Sequence, residues 1–581
     1  MANKYQENDT KNRFIGQASI IYKVLPNLTL RGTVSQDQYS YNYSNVLPTG
    51  TLYVPNGQYT GLKADAAETN TQVTGTWKTH IGENLHINVL GGANGRKFQN
   101  NYLKLDGQTF TIPYFYSFSN LATSSAVPTN QHTTTNSVFG GVDFDYKSLL
   151  FLSVTGREDW FSTLSKGHYG IFYPSVGASF ILSDAVQLPA IFNLAKIRAS
   201  WAEVGGGAPD PYVINLGYSV VPSSGQPLQN VTPDVNNNNN SITNAQLRPY
   251  TSTTYEAGFE LSMLKQRLGI DFTYYNRETR SDIFPAAVST TSGYSSAIVN
   301  LADKPNLRNR GVELLLTGTP VKVGDFAWTV SYNVAYNTNK VLSLLPGFNT
   351  VQVANSVGNW AYLNNVVGQS AFELVGTSMQ KNANGDTVFN AASGLPVMSA
   401  QHNLGRSVAP WTMGLTNEFH YKRFGFSFLL DGKFGNKIFS IFEVYATRMG
   451  KLKSTLPGRE NGLTVHGVDQ SGNKYTNTIP VANLRPYYDN YKVYSDLFLH
   501  DGSFVKLRQV IFSYSIPTAK LGLSKLQSAS ISFVARNLLI LYRDTKNFDP
   551  EQSFTNSNSQ GFESIGLPRT RSFGLNLSVK F

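Results

Sequence analysis

The residue types that could perform chemistry in this chain are carboxylates and histidines, and they form no catalytic pattern. Two carboxylate pairs, Glu158/Asp159 and Glu256/Glu260, lie on predicted strands or strand rims, where lining a polar surface is expected rather than acid/base work. The eight histidines are scattered without HExxH spacing, and the sequence has no G-x-S-x-G motif. We therefore predict no enzyme activity, no catalytic residue, no cofactor and no metal.

Two glycine-containing stretches resemble ligand-binding loops. The stretch 382–388, Asn-Ala-Asn-Gly-Asp-Thr-Val, places oxygens at alternating positions like half of a calcium loop, but it lacks the distal glutamate. An Asn-Gly hairpin turn is the expected structure. The run 205–207, three glycines, follows a strand but neither opens a helix nor carries a P-loop lysine, which argues against phosphate binding.

The composition shows what kind of chain must position these residues. Its 581 residues are 15% charged, where a soluble protein carries roughly 25%, and 13% are aromatic. Abundant aromatic residues argue against disorder, and the absence of cysteine excludes disulfides and thiolate metal sites. No apolar run approaches the ~18 residues of a transmembrane helix, and no secretory signal is predicted in the polar segment 1–12.

The net charge of +11 has several possible explanations. The basic residues are spread through turns and loops, and no nucleic-acid recognition motif accompanies them, so no nucleic-acid partner is predicted. A basic rim could face lipopolysaccharide or draw anionic solutes by its local field. The loss of an acidic N-terminal part would leave the same excess.

Period-two alternation is the dominant structural signal. At the C-terminus, apolar residues occupy one face and polar residues the other, which predicts a strand with one apolar side. The same pattern recurs at intervals of roughly 30 to 40 residues, as in Trp328–Tyr336 and Phe424–Leu430. Segments of this kind predict about 16 or 17 strands without a convincing amphipathic helix.

The connections between these strands are of two lengths. Short turns such as Leu264–Arg267 and Tyr421–Arg423 join paired strands, whereas the segments 205–249, 345–410 and 442–501 are long and irregular. This asymmetry, the uncharged polar faces and the aromatic residues at strand ends are typical of a membrane barrel rather than a soluble sandwich. We predict an all-β, transmembrane antiparallel β-barrel with short periplasmic turns and long extracellular loops.

Specific sequence motifs then point to a family. The segment 501–517, Asp-Gly-Ser-Phe-Val-Lys-Leu-Arg-Gln-Val-Ile-Phe-Ser-Tyr-Ser-Ile-Pro, resembles a signature of SusC/RagA-type TonB-linked outer-membrane proteins. Further segments resemble the family's other barrel motifs and occur in the family's order: 157–159, 173–177, 197–201, 247–256, 309–313, 535–539, 547–551 and 567–571. The resemblance extends from about Phe14 to Phe581.

This resemblance implies a multi-pass barrel of 22 strands in the cell outer membrane of a Gram-negative bacterium. It also implies an N-terminal plug, a TonB box that contacts the TonB complex, and a SusD-like surface lipoprotein that captures oligosaccharides or peptides. None of these N-terminal elements is expected ahead of Lys4 in this sequence. Residues 1–13 are therefore expected to be a polar lead-in, and 14–581 an incomplete TonB-dependent receptor-like barrel without signal peptide, TonB box or plug.

The last strand carries the one residue set to which a role is assigned from sequence. The set ends on a terminal aromatic residue and resembles the signal read by the barrel-assembly machinery, which must pair this edge before the barrel closes. It comprises Phe573, Leu575, Leu577, Val579 and Phe581. Its members are also simply the lipid-facing residues of an alternating strand.

Four functional interpretations remain open at the level of sequence. The first is the barrel of a nutrient importer for oligosaccharides or peptides, working with a SusD-like lipoprotein. The second is a passive porin-like channel, and the third is a non-transporting role, as an adhesin or a truncated barrel remnant. The last alternative, without a barrel, is a soluble β-rich enzyme. Outer-membrane lipid and lipopolysaccharide would surround the barrel in each of the first three cases, and the residues that bind cargo are unknown.

Overall fold

The structure is a computed structural model that describes most of the chain. The described residues are 6–206, 211–212, 214, 218–223, 226–233, 241–289, 291, 294, 296–301, 303–518, 522, 526–553, 560–567 and 569–580. Within these ranges no helix is long and apolar enough to cross a bilayer.

Seventeen strands belong to one large sheet, which confirms the predicted all-β class and the predicted strand number. They are β1 Gln6–Leu25, β2 Leu28–Leu47, β3 Gln58–Ile81, β4 Leu85–Phe110, β5 Leu121–Tyr146, β6 Leu150–Phe161, β7 Gly170–Ile181, β8 Phe192–Gly206, β9 Tyr250–Met263, β10 Leu268–Arg280, β11 Pro305–Val323, β12 Phe326–Val341, β13 Trp411–Tyr421, β14 Phe424–Phe434, β15 Phe504–Ile516, β16 Ser528–Arg543 and β17 Ser572–Lys580.

The chain divides into two compact units. Unit 1 comprises Met1–Phe180, Ala199–Thr254 and Thr279–Asp303, and unit 2 comprises Ile181–Arg198, Tyr255–Glu278 and Lys304–Phe581. In unit 1, β1 to β7 each pair antiparallel with the next strand in the chain. In unit 2, β11 to β17 pair in the same consecutive, antiparallel way. The residues assigned to a polar lead-in lie in β1 from Gln6 onward.

Aromatic residues form a row across the strands of unit 2, near the ends that are joined by short turns. Directly opposed residues on β12 to β17 build the row: Trp328, Phe419, Phe426, Phe512, Phe533 and Leu575. Opposed residues point to the same side of a sheet, so this row defines the apolar face of unit 2. The rings of Trp328 and Phe419 stack with centroids 5.9 Å apart.

A second aromatic row lies on the same face, toward the long loops. Tyr336, Trp411 and Phe434 are directly opposed, and the Tyr336 and Trp411 rings are 4.5 Å apart. Eight residues of β12 separate Trp328 from Tyr336, which is about 27 Å along a strand and about 20 Å of height at a typical tilt. Two aromatic girdles around an apolar band of ~25 Å are typical of a strand-built membrane span.

Unit 1 has a corresponding apolar row, but its strands continue far beyond it. The row consists of directly opposed residues of β3 to β7: Trp77, Val89, Val142, Val154 and Val176. Eight residues toward the long loops, the same face carries Thr69, Lys97 and Thr134. β3 has 24 residues and β4 has 26, whereas a span needs about 9–11. The polar ends of these strands therefore lie outside the apolar band.

The long connections are not irregular throughout, because they contain short elements of their own. The helices are α1 Leu182–Ala185, α2 Ile441–Arg448 and α3 Leu484–Asp489, with 3₁₀ turns at Phe118–Asn120, Val357–Asn359, Lys453–Thr455, Val481–Asn483, Asn490–Val493, Ser495–Phe498 and Pro550–Ser553. The short strands are Tyr218–Ser223, Gln226–Pro233, Ser241–Ile242, Ile283–Ala287, Ser296–Asn300, Thr350–Asn355, Tyr362–Val366, Glu373–Gly376, Val388–Phe389, His402–Arg406, Lys437–Ser440, Leu463–Asp469, Lys474–Ile479, Leu499–Asp501 and Phe562–Glu563.

These loop elements of unit 2 enclose a small apolar core, here called the loop core. Its buried residues are Ala361, Leu363, Leu374, Phe439, Ile441, Val444, Phe498 and Phe562. Phe439 is fully buried, and its ring meets Phe498 and Phe562 edge-on at 6.4 Å each. The loops of unit 2 are therefore folded around a core of their own, which holds them in a defined shape.

Candidate functional site

Four of the sequence motifs converge at the loop end of β15. The strand motif contributes Lys506 and Arg508, the motif 547–551 contributes Asp549 and Glu551, and the motif 567–571 contributes Arg569. Together with Asp431 of β14 these side chains form a set that we call the ionic cluster. The motif 535–539 also reaches it, because Asn537 Oδ1 accepts a hydrogen bond from Arg508 at 3.2 Å.

Lys506 is the buried centre of the ionic cluster. Its side chain is 5% exposed, and its ammonium donates to Asp549 Oδ1 at 2.6 Å and to Glu551 Oε2 at 2.7 Å. The residues opposite it on the neighbouring strands are Asp431 and Ile540. Asp431 alternates with the apolar-face residue Leu430, so Lys506 lies on the opposite, polar face of the sheet.

Arg508 enters the cluster through a β-bulge. Leu429 pairs with Gln509 and Leu430 with Leu507, so Arg508 is left as the extra residue of β15. Its guanidinium donates two hydrogen bonds to the carboxylate of Glu551, at 2.9 and 3.0 Å, and its Nε donates to Asp431 at 3.1 Å. A planar, two-pronged contact of this kind fixes orientation as well as charge.

The ionic cluster is balanced in charge, and its centre, Lys506 with Asp549 and Glu551, is withdrawn from water. Lys506, Arg508 and Arg569 face Asp431, Asp549 and Glu551, and the Glu551 side chain is 7% exposed. Burial favours the neutral form of Glu551, but the hydrogen bonds from Arg508 and Lys506 outweigh it and lower the pKa of Glu551 to about 2. The carboxylate therefore stays charged at neutral pH.

The motif 547–551 also joins β15 to helix α2. Asn547 Nδ2 donates to Glu443 Oε1 at 2.6 Å, and the other oxygen of Glu443 contacts His500 Nε2 at 2.7 Å. Burial would raise the pKa of Glu443, but the hydrogen bonds from His500 and Asn547 lower it overall. Phe548 packs edge-on against His500, with ring centroids 5.5 Å apart. One short motif thus ties the strand to the loop core.

A second buried carboxylate orders the start of α2. Ser440 is the N-cap of the helix, and its Oγ accepts a hydrogen bond from the Glu443 amide. Glu563 accepts from Ser440 Oγ at 2.8 Å and from the Phe442 amide at 2.9 Å, which satisfies another N–H of the first turn. The loop core and the ionic cluster are therefore held by charged residues from distant parts of the chain.

A small basic cavity of about 230 Å³ adjoins the cluster. Its charged lining consists of Lys506, Arg543, Lys546, Asp549, Arg569 and Arg571. Arg543 donates to the Phe548 carbonyl at 3.2 Å, which holds its side chain beside the cavity. The cavity is thus bordered by five basic side chains and one carboxylate.

The similarity of the sequence to known proteins shows its family. The family model described as "TonB dependent receptor-like, beta-barrel" matches residues 35–504. The chain belongs to this family. TonB-dependent receptors of this kind are β-barrels of the outer membrane, which confirms the predicted location, and they act as receptors and transporters rather than enzymes.

Two relatives align with almost the whole chain at low sequence identity. The TonB-dependent receptor P26 of Formosa agariphila is 24% identical over 99% of this chain and 60% of its own length. The TonB-dependent receptor SusC of Bacteroides thetaiotaomicron is 22% identical over 98% of this chain and 56% of its own length. These relatives confirm the predicted family resemblance. The chain spans about three fifths of their length.

Solved structures show the same fold. The structure titled "RagAB peptide transporter" superposes with a TM-score of 0.80 and 16% identity, over 100% of this chain and 63% of that chain. A structure of the RagAB peptide importer in an "open-open" state gives a TM-score of 0.77 at 16% identity, over 100% and 62% of the two chains.

The predicted assembly signal of this TonB-dependent receptor barrel lies on β17. Phe573, Leu575, Leu577 and Val579 are opposite Ala535, Phe533, Ile531 and Ala529 of β16, so they share the apolar face. Phe573, Leu575 and Leu577 are 64%, 76% and 64% exposed, as lipid-facing residues are. Phe581 lies outside the described residues. The role in assembly stays a prediction.

The carboxylate pairs named from sequence lie on the strands predicted for them. Glu158 and Asp159 are in β6, where Arg157 Nε bonds to Asp159 at 2.7 Å, and Glu256 and Glu260 are in β9. Across residues 6–580, apart from the positions left undescribed, no three His, Asp or Glu residues are grouped as metal ligands.

The stretch 382–388 forms the predicted turn. Asn382 Oδ1 accepts hydrogen bonds from the amides of Asn384 and Asp386, and Gly385 has a φ of +88°, which a glycine adopts without strain. Lys381 and Thr387 form an antiparallel bridge across the turn. Of the run 205–207, Gly205 and Gly206 end β8, and residue 207 lies outside the described residues.

The ionic cluster is not evident as a site from the sequence alone. One signal was available: Lys506 and Arg508 are two residues apart on a strand, and Asp549 and Glu551 repeat that spacing with opposite charge. Matched spacing alone does not show that a loop folds back onto a strand, so the sequence motifs indicate a family without indicating this site.

Proposed function

We propose that this chain is the barrel of a TonB-dependent nutrient importer that takes up oligosaccharides or peptides across the outer membrane. The observation that carries the proposal is the family match over residues 35–504. The relatives extend it, because one of them is SusC and one similar structure is titled a peptide transporter. A peptide cargo is suggested by that title, and an oligosaccharide cargo by the resemblance of the sequence motifs to the SusC/RagA type; both are proposed for this chain.

The folded loops of unit 2 support binding rather than passive diffusion. A porin needs an open, water-filled path. The loops of unit 2 instead have a buried core and a charge-balanced cluster, which hold them in one defined shape. Binding sites require preorganised side chains, since mobile loops lose affinity on ordering. Shaped loops at the extracellular end of the strands suit the capture of a cargo molecule.

We also propose the partners that such an importer requires. A SusD-like surface lipoprotein would present cargo to the loops, and the TonB complex would act through an N-terminal plug and TonB box of the complete protein. The barrel-assembly machinery would insert the barrel by its last strand. The lipoprotein and the TonB complex are inferred from the SusC and RagAB relationships, and the assembly machinery from the alternating last strand β17.

The test compares cells carrying the complete gene with cells lacking it, in strains with and without TonB. Uptake of fluorescent oligosaccharide and peptide mixtures is measured, together with lipoproteins that co-purify with the barrel. We expect uptake of one cargo class that requires both the gene and TonB, and one co-purified lipoprotein. Uptake without TonB, together with steady open-pore conductance of the complete protein in planar bilayers, would contradict the proposal.

A further inference from the structure

The basic cavity beside the ionic cluster holds more positive charge than its neighbours balance. Within the ionic cluster, three cations already face three carboxylates. Arg543, Lys546 and Arg571 also line the cavity, and in the described part of the chain no carboxylate lies within 4.0 Å of their charged groups. The cavity therefore carries an excess of three cations.

The walls of the cavity strengthen its attraction for an anion. Lys506 and Asp549 line its inner wall with side chains that are 5% and 9% exposed, and Leu538, Leu539 and Ile540 form an apolar side. Arg543, Lys546 and Arg571 are exposed and lie at its open side, where a ligand can reach them. Charges beside a partly dry, apolar wall interact more strongly than charges in open water. Arginine also offers N–H groups in a fork that fits the two oxygens of a carboxylate or sulfate group.

The position of the cavity relates it to cargo. Lys506 lies on the polar face of the sheet, which in a membrane barrel faces the lumen, and it is close to the end of β15 that leads into the long loops. A volume of about 230 Å³ is below the ~300–1,000 Å³ of sites for whole drug-sized ligands. The cavity suits one charged group of a larger molecule.

We propose that this cavity is a subsite for a single carboxylate or sulfate group of the cargo, held by Arg571, Lys546 and Arg543. Its physiological meaning rests on the proposed import function. The chemistry itself rests only on the excess charge and the geometry of the cavity. The ionic cluster acts as a fixed base for the subsite, because it holds Asp549 and Lys506 in place at the cavity wall.

The subsite is tested by calorimetric titration of the full chain in uncharged detergent at low salt. The probes are glucose 6-sulfate, glucuronate, a tripeptide with a free C-terminus, the same tripeptide amidated at the C-terminus, and glucose. We expect the first three to bind and the last two not to bind. The relative affinities of the sulfate, the uronate and the peptide carboxylate show which source the cavity prefers.

Substitutions identify the cavity as the place of binding. Arg571→Gln should weaken binding of the preferred anion roughly tenfold, and Arg571→Gln with Lys546→Gln roughly 50-fold or more, since charge-assisted hydrogen bonds contribute most of the affinity. Lys451→Gln removes an exposed charge from another loop of unit 2 and is the matched control, with unchanged binding. Hydrogen exchange of residues 544–553 should be the same in all variants.

Two results would overturn the subsite. One is equal binding of glucose and the anions, and the other is anion binding that Arg571→Gln and Lys451→Gln weaken to the same extent. Neither result bears on import, which is decided by the TonB dependence of uptake. Conversely, anion binding that follows Arg571 in a protein with TonB-independent uptake would uphold the subsite and contradict the importer.

Discussion

Unit 1 and unit 2 use their chain length in different ways. In unit 1, β3, β4 and β5 are 24, 26 and 26 residues long and continue as paired strands well beyond the apolar band. In unit 2, β13, β14 and β15 have 11, 11 and 13 residues, and the remaining length folds into loops with a buried core. Strand extension repeats one local pairing, whereas a folded loop depends on contacts between distant residues.

The difference is also visible in the ion pairs of the two units. Arg96 and Glu68 of unit 1 lie on adjacent strands, 2.6 Å apart, with side chains 48% and 31% exposed. Lys506 and Glu551 of unit 2 are 2.7 Å apart with side chains 5% and 7% exposed. An exposed ion pair adds little to the stability of strands that already pair through their backbones. A buried ion pair is different, because the loss of one partner leaves an unpaired charge away from water and lowers the free energy of unfolding.

The largest effect is expected for Glu551→Ala. The substitution removes the acceptor that buried Lys506 shares with partly buried Arg508, so that only Asp549 and Asp431 still pair with them and one positive charge of the cluster is left unbalanced. Breaking a buried ion pair costs about 3–5 kcal/mol. Residues 544–553 and the loop core should lose protection against hydrogen exchange, while the ladder of β3 and β4 keeps it. Unchanged protection of residues 544–553 would show that the ionic cluster does not hold the loops.

The second-largest effect is expected for a charged residue placed on the apolar face of unit 2. Leu415 lies between the two aromatic rows, opposite Tyr332 and Leu430, so Leu415→Lys should destabilise the folded barrel by about 2–4 kcal/mol in lipid. Thr416→Lys, one residue along on the polar face, is the matched control and should be nearly neutral. Urea unfolding in vesicles measures both variants. A larger loss for Thr416→Lys would reverse the assignment of the two faces.

Acidification is a milder way to weaken the ionic cluster. The pKa of Glu551 is lowered to about 2 in the folded protein, so its stabilising contribution is fully present above about pH 4.5 and is lost as the pH falls through about 2. Hydrogen exchange of residues 544–553, corrected for the intrinsic rate, should stay constant from pH 7 to 5 and rise below pH 3. A rise already complete at pH 5 would contradict the lowered pKa.

The smallest effect is expected for Glu68→Gln in unit 1. Because both partners are partly exposed, the substitution should change the free energy of unfolding by less than about 1 kcal/mol, and less still at high salt. Urea unfolding at low and high salt measures this. A loss as large as that of Glu551→Ala would remove the contrast between the two units.

The sequence by itself determined the strands, their faces and the family. Alternation places Trp328 and Tyr336 on one side of β12 for the stereochemical reason that successive side chains of a strand point to opposite faces. The turns at Leu264–Arg267 and Lys422–Arg423 are equally local, since a few residues close them. The motifs, read in order, identified the family because each is a contiguous stretch.

Only the tertiary structure decided what the long connections do. Lys506 meets Asp549 across 43 residues of sequence and Arg508 meets Asp431 across 77, and no local preference encodes contacts of that separation. The segments at 345–410 and 442–501 read as irregular because their apolar residues follow no strand or helix period. They fold because the loop core packs apolar residues of both segments together, and because the buried carboxylates of Glu443 and Glu563 bond to residues far away in the sequence. Contacts of this kind exist only in the tertiary structure.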